Sequence, residues 1–202
     1  MTFRSDPGRL PAVFLDRDGT IIEDVGYLRH LDQIVFFPWS IDAIRALNHA
    51  GLPVVVITNQ SGIARGILTE AFVDETHRRI AERLAAGAAR IDAYYYCPHH
   101  PQGKVEPYVQ ACDCRKPGCG MIDRASRDLG LDPARSFVVG DTWLDVGAAR
   151  AAGARAILVG RRATTRHELP PVPSPPPGLE ADAIVDNLAA AASWILTHVD
   201  RA

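Results

Sequence analysis

Short apolar runs, rich in Val, Ile, Ala and aromatic residues, recur along the chain. Between them lie longer stretches whose apolar residues are spaced three and four apart. The runs predict strands at 12–15, 54–57, 93–96, 137–139, 156–159 and 183–185. The intervening patterns predict helices at about 40–50, 69–86, 121–129, 145–152 and 187–197. Strands that are apolar throughout and alternate with helices imply a parallel sheet covered on both faces, a three-layer α/β fold. Ligands of such sheets bind beyond the carboxyl ends of the strands, so chemistry is expected just after each strand.

Two segments break this rhythm. Residues 97–119 are rich in Pro, Gly and Cys and show no periodicity. A loop of that length in a compact domain is expected to carry function or to be disordered. Residues 161–178 contain the run Pro-Pro-Val-Pro-Ser-Pro-Pro-Pro, which cannot be helical and predicts a stiff, PPII-like surface excursion before the last strand. No internal repeat is visible, and a single domain over 1–202 is expected.

Bulk properties narrow the classes. Of 202 residues, 47% are hydrophobic, enough for a core without disulfides. The net charge of -2 provides no general field toward nucleic acid or anionic lipid. The arginines Arg78, Arg79 and Arg83 share a helix with Glu75 and Glu82, which suits a solvated face better than a strand-binding track. Residues 1–11 are polar, without the apolar region of a signal peptide, and no run reaches membrane-spanning length. A soluble cytoplasmic protein, monomeric and acting on a small molecule, is the expectation.

Candidate chemistry falls at the strand tips. The first strand runs into Asp16-Arg17-Asp18-Gly19-Thr20. Two carboxylates there could form no more than an Asx-turn, but they could also hold Mg²⁺ or attack phosphorus. The second strand ends in Thr58-Asn59-Gln60-Ser61-Gly62; alone this reads as a helix cap, yet its hydroxyl and backbone N–H groups suit phosphate oxygens. Arg115-Lys116-Pro117 offers a fork and a point charge, ordinary on a surface and useful beside phosphate. The fourth strand ends in Gly140-Asp141-Thr142-Trp143-Leu144-Asp145, a turn, a helix cap or a second acidic tip able to complete a metal site.

All four cysteines fall within the aperiodic loop, where they are poorly spread for disulfides. Cys97-x-His99, twelve intervening residues and Cys112-x-Cys114 form a Cys₃His set suited to a closed structural zinc site. The alternative is a reduced, metal-free thiol cluster. His100 competes with His99, and Cys119 lies outside the pattern.

The order of these segments resembles the haloacid dehalogenase superfamily of phosphotransferases. Phe14-Leu-Asp-Arg-Asp-Gly-Thr-Ile-Ile22, Thr58-Asn-Gln-Ser-Gly-Ile-Ala-Arg-Gly66, Cys97-Pro-His-His-Pro-Gln-Gly103 and Cys112-Asp-Cys-Arg-Lys-Pro117 are similar to the D-glycero-D-manno-heptose 1,7-bisphosphate 7-phosphatases. The likeness spans about 12–160. It implies a Rossmann-like sheet of the haloacid dehalogenase type with no separate cap domain, the gap from Asp18 to Thr58 being too short for one. It also implies Asp16 as nucleophile and Asp18 as general acid and then base. Mg²⁺ would be held by the Asp16 carboxylate, the Asp18 carbonyl and Asp141, with phosphoryl oxygens on Thr58 and Lys116. The substrate side would be formed by Asp24, Val25, Gly26, Tyr27, Asn59, Gln60, Ser61, Arg115 and Thr142, with a sugar phosphate as ligand. The sequence departs from the family pattern at Thr142, where Lys is common, and at Cys119, where Pro is frequent. Histidinol-phosphate phosphatases share the scaffold but have a shorter zinc loop. A nucleic-acid end phosphatase and a non-catalytic zinc module are the remaining readings.

Overall fold

The computed structural model describes residues 8–160 and 174–199. Most of the proline-rich stretch at 161–178 therefore lies outside the described residues. Six strands form one parallel sheet: β1 (Val13–Leu15), β2 (Val54–Asn59), β3 (Ala93–Cys97), β4 (Phe137–Gly140), β5 (Arg155–Val159) and β6 (Ala183–Val185). Their spatial order is β3-β2-β1-β4-β5-β6. The chain lays down β1 to β3 in one direction and then returns to the other side of β1 for β4. That reversal is a topological switch point, where a crevice opens beyond the strand ends.

Successive strand residues point to opposite faces, and here both faces are apolar. Val13, Leu15, Val54, Val56, Phe137 and Val139 enter one core with helices α1 (Ser40–His49), α2 (Glu70–Ala86) and α5 (Leu188–His198). Phe14, Val55, Ile57, Val138, Ala156 and Leu158 enter the other with α3 (Gly120–Leu129) and α4 (Trp143–Ala152). The three-layer arrangement is the expected one, and the β1–β2 connection contains only a 3₁₀ turn at Leu31–Gln33 and α1, with no cap domain.

The differences from the sequence expectation fall at element ends. Strand β2 runs through Thr58 and Asn59, so those residues are strand-held rather than part of a following loop. Strand β3 likewise carries Cys97. Helix α4 starts at Trp143 instead of 145, because Thr142 and Asp145 form a reciprocal capping box at its N-terminus.

Candidate active site and zinc loop

Asp16 follows β1, Thr58 ends β2 and Asp141 follows β4, so three adjacent strand tips converge at the switch point. Asp16, Asp141 and Asp145 are buried, and their carboxylate oxygens lie within 4.8 Å of one another. The backbone is compact enough to allow this only because Gly19 sits at φ +85°; a Cβ there would come within 2.4 Å of Asp141 Oδ2. Gly140 plays the same part for Asp145, whose Cγ would meet a Cβ at 2.1 Å.

Lys116 is the counter-charge. Its ammonium donates to Asp16 Oδ1 (2.8 Å), Asp145 Oδ1 (2.5 Å) and the Ile57 carbonyl (3.1 Å), using all three donors. Burial alone would lower the lysine pKa, but Asp145 and Asp16 outweigh it and hold the ammonium firmly charged. For Asp16, burial pushes the carboxyl well above the usual range; Asp145, Asp141 and Asp18 push the same way against Lys116. Ionised together, the three buried carboxylates would exceed the one ammonium by two negative charges. An all-oxygen donor set with that deficit fits one Mg²⁺.

Thr58 accepts from Gln60 Nε2 (2.8 Å), which leaves its own O–H as the donor toward the cleft. Asn59 grips the lysine backbone reciprocally: Lys116 N donates to Oδ1 (3.0 Å) and Nδ2 donates to the Lys116 carbonyl (3.2 Å). It thus sets the lysine as well as lining the cleft. Asp18 accepts from Gln60 Nε2 (3.0 Å) and from the buried Arg17 guanidinium (2.9 Å to Nη2).

Two adjoining clefts open here. One of ≈170 Å³ is lined by Asp16, Thr58, Lys116, Asp141, Thr142 and Leu144; the other, of ≈300 Å³, by Arg17, Tyr27, Leu28, Gln60, Ser61 and Leu68, among others. Asp18, Asp24, Gly26 and Asn59 line both. Asp24 accepts from Gly26 N (2.8 Å), an Asx-turn that fixes this shared wall. Two expected substrate residues line neither cleft: Val25 packs against the core, and Arg115 donates to the His99 carbonyl (3.4 Å) in the zinc loop. A larger groove of ≈560 Å³ lies at 31–36 and α2 but contains none of the site carboxylates.

Cys97, His99, Cys112 and Cys114 come together at the end of β3. Their sulfurs are 3.3–3.5 Å apart, and His99 Nδ1 is 3.4 Å and 3.7 Å from Cys114 and Cys97. Tetrahedral ligands on Zn–S bonds of ~2.3 Å would be separated by roughly 3.8 Å, so the set fits zinc. His100 faces away, its ring nitrogens near Arg65 Nη2 (3.2 Å) and Gln102 N (3.0 Å). Cys119 is outside the cluster, at the head of α3, donating to Asp123.

Three site residues were not anticipated. Asp145 was visible as the far half of Thr142-x-x-Asp145, a capping-box pattern, but its tie to Lys116 was not. Arg17 lies between the two motif acids, yet nothing local indicates that its charge is buried. His77 is a lone histidine on the buried face of α2 and carries no sequence signal.

A capless parallel α/β fold with acids, a hydroxyl and a lysine at its switch point defines a haloacid dehalogenase-type hydrolase, and a HAD-hydrolase-like family model matches residues 113–191. The D-glycero-beta-D-manno-heptose-1,7-bisphosphate 7-phosphatase of Escherichia coli K12 is 44% identical over 180 residues, covering 89% of this chain and 91% of the relative. That of Salmonella typhi is 49% identical over 143 residues, covering 71% and 76%. The D,D-heptose 1,7-bisphosphate phosphatase structure from B. bronchiseptica, complexed with magnesium and phosphate, matches with a TM-score of 0.76 at 30% identity, covering 93% and 99%. The chain belongs to the heptose-1,7-bisphosphate 7-phosphatase family.

Proposed function

We propose that this chain is a Mg²⁺-dependent phosphatase that removes the 7-phosphate of D-glycero-D-manno-heptose 1,7-bisphosphate. The observation that carries the reading is the buried Asp16–Lys116–Asp145 linkage beside Asp141, at the tip of β1. The names of the E. coli and Salmonella relatives support the β anomer as substrate.

Asp16 attacks phosphorus in line, forming an aspartyl-phosphate as the P–O bond to the sugar breaks. Asp18, at the boundary of the two clefts, gives its proton to the departing sugar oxygen. It then takes a proton from the water that attacks the aspartyl-phosphate, releasing phosphate and restoring Asp16. Lys116 holds the Asp16 carboxylate in place and offsets phosphoryl charge; Thr58 donates to a phosphoryl oxygen. Mg²⁺ held by Asp16, the Asp18 carbonyl and Asp141 would neutralise charge on the transferring phosphoryl group. The sugar occupies the wider cleft, against Asp24, Gly26, Tyr27, Gln60 and Ser61, and Thr142 borders the phosphoryl side. Arg115, next in sequence to Cys114, donates to the His99 carbonyl within the zinc loop and lines neither cleft.

The described residues form one phosphatase domain that acts as a monomer on a free sugar phosphate in the cytoplasm. Among them no helix is long and apolar enough to cross a membrane. A nucleic-acid substrate is disfavoured by α2, where Glu75 pairs with both Arg78 and Arg79. Comparing kcat/KM for heptose 1,7-bisphosphate and histidinol phosphate tests the assignment, since specificity is differential transition-state binding. The heptose bisphosphate should be preferred at least ~10-fold; equal or reversed preference overturns the substrate.

A further inference from the structure

The machinery above does not use His77, which is buried on α2. Its Nε2 lies 3.3 Å from Arg17 Nη1. A guanidinium has only donors, so Nε2 is the acceptor and the ring proton sits on Nδ1. Burial first, and then the Arg17 charge, lower the His77 pKa to about 3, which keeps the ring neutral and able to accept. The ring is fixed from its other side by stacking on Tyr94, at 4.7 Å and 20°. Arg17 itself is 2% exposed. With Nη1 held by His77, the Nε–Nη2 edge faces Asp18: Nε donates to Oδ1 and Oδ2 (3.2 Å each) and Nη2 to Oδ2 (2.9 Å).

We propose that His77 is a positioning residue for proton transfer: by accepting from Arg17, it aims the guanidinium edge that orients the Asp18 carboxylate between the two clefts. The proposal rests on the reading of Asp18 as the acid and base of the reaction. A fork held at both ends fixes a planar carboxylate in a way that a lone lysine or a mobile arginine could not. Small misplacement of a reacting group costs up to ~10²-fold.

The test compares two leaving groups in the Mg²⁺-loaded enzyme. A sugar oxygen must be protonated as it departs, whereas the phenolate of p-nitrophenyl phosphate needs little help. His77→Phe keeps the ring stack and removes the acceptor. It should lower kcat/KM on heptose bisphosphate by roughly 10- to 100-fold and on the aryl phosphate by less than about threefold. His77→Gln, whose Oε1 can accept from Arg17, should recover most of the loss. His77→Asn, too short to reach, supplies the same contrast if the phenylalanine variant does not fold. Equal losses on both substrates, no loss, or no rescue by glutamine overturns the inference. Asp18→Asn separates the two claims: it should show the same leaving-group signature, more strongly. If Asp18→Asn discriminates and His77→Phe does not, the positioning role fails alone; if Asp18→Asn does not discriminate, the acid assignment fails with it.

Discussion

Lys116 brings three N–H donors to a buried site that offers three acceptors, two of them carboxylates. Breaking such a pair from one side leaves charge in the interior, a loss of about 3–5 kcal/mol. Lys116→Met should therefore unfold more readily by about that amount in chelator, read by urea denaturation, as well as losing phosphatase activity. A loss of activity with unchanged stability would mean that the Asp16 and Asp145 contacts are not formed. Gly19→Ala makes a different point. The added methyl meets the Asp141 carboxylate at 2.4 Å on a backbone at φ +85°, so Mg²⁺ affinity measured calorimetrically should fall while the sheet persists. His77 gives a pH signature. Its folded pKa of about 3 lies below the ordinary 6.5, so between those values the unfolded chain binds the extra proton. Stability then falls as pH drops through that window, by up to ~1.4 kcal/mol per pH unit. Against His77→Gln, wild type should lose stability faster from pH 6.5 toward 4; parallel curves would show that His77 is not buried neutral.

At the scale of elements, the aperiodic loop has little apolar content, and its order comes from four ligand side chains and the core position of Cys97. Because Cys114 immediately precedes Arg115 and Lys116, a zinc ion held there would fix the course of the chain into Lys116 through two peptide units. Protein purified without chelator should hold about one zinc per chain. Cys112→Ser should lose zinc and, with Mg²⁺ saturating, most of its activity; a folded, metal-free, fully active variant would refute a structural role for the loop. The elements were largely legible in advance, since parallel strands buried on both faces read as continuous apolar runs. Their ends were not: Thr58, Asn59 and Cys97 continue the sheet because ladder hydrogen bonds to neighbouring strands extend it past the apolar run. The start of α4 was set by a capping box rather than by hydrophobic periodicity.

For the whole molecule, the reversal of strand order at β1 brings residues more than a hundred positions apart into one crevice. Asp16, Thr58 and Asp141 stand out in the sequence because each lies at a strand tip, and Lys116 because it follows the Cys112-x-Cys114 pair in the loop between β3 and α3. The Cys₃His set was legible because ligand spacing is a local property. Arg17–His77 and Lys116–Asp145 could not be read that way, as each depends on side-chain direction across elements. Val25 and Arg115 line neither cleft for the same reason: adjacency to a motif does not decide which way a side chain faces. Turnover on the proposed pathway depends on the Asp16 carboxylate as the nucleophile. The most direct measurement is phosphate release from heptose 1,7-bisphosphate by Asp16→Asn with saturating Mg²⁺, beside wild type of equal thermal stability. Turnover should drop by at least ~10⁴-fold with the fold intact; release near the wild-type rate would contradict the account.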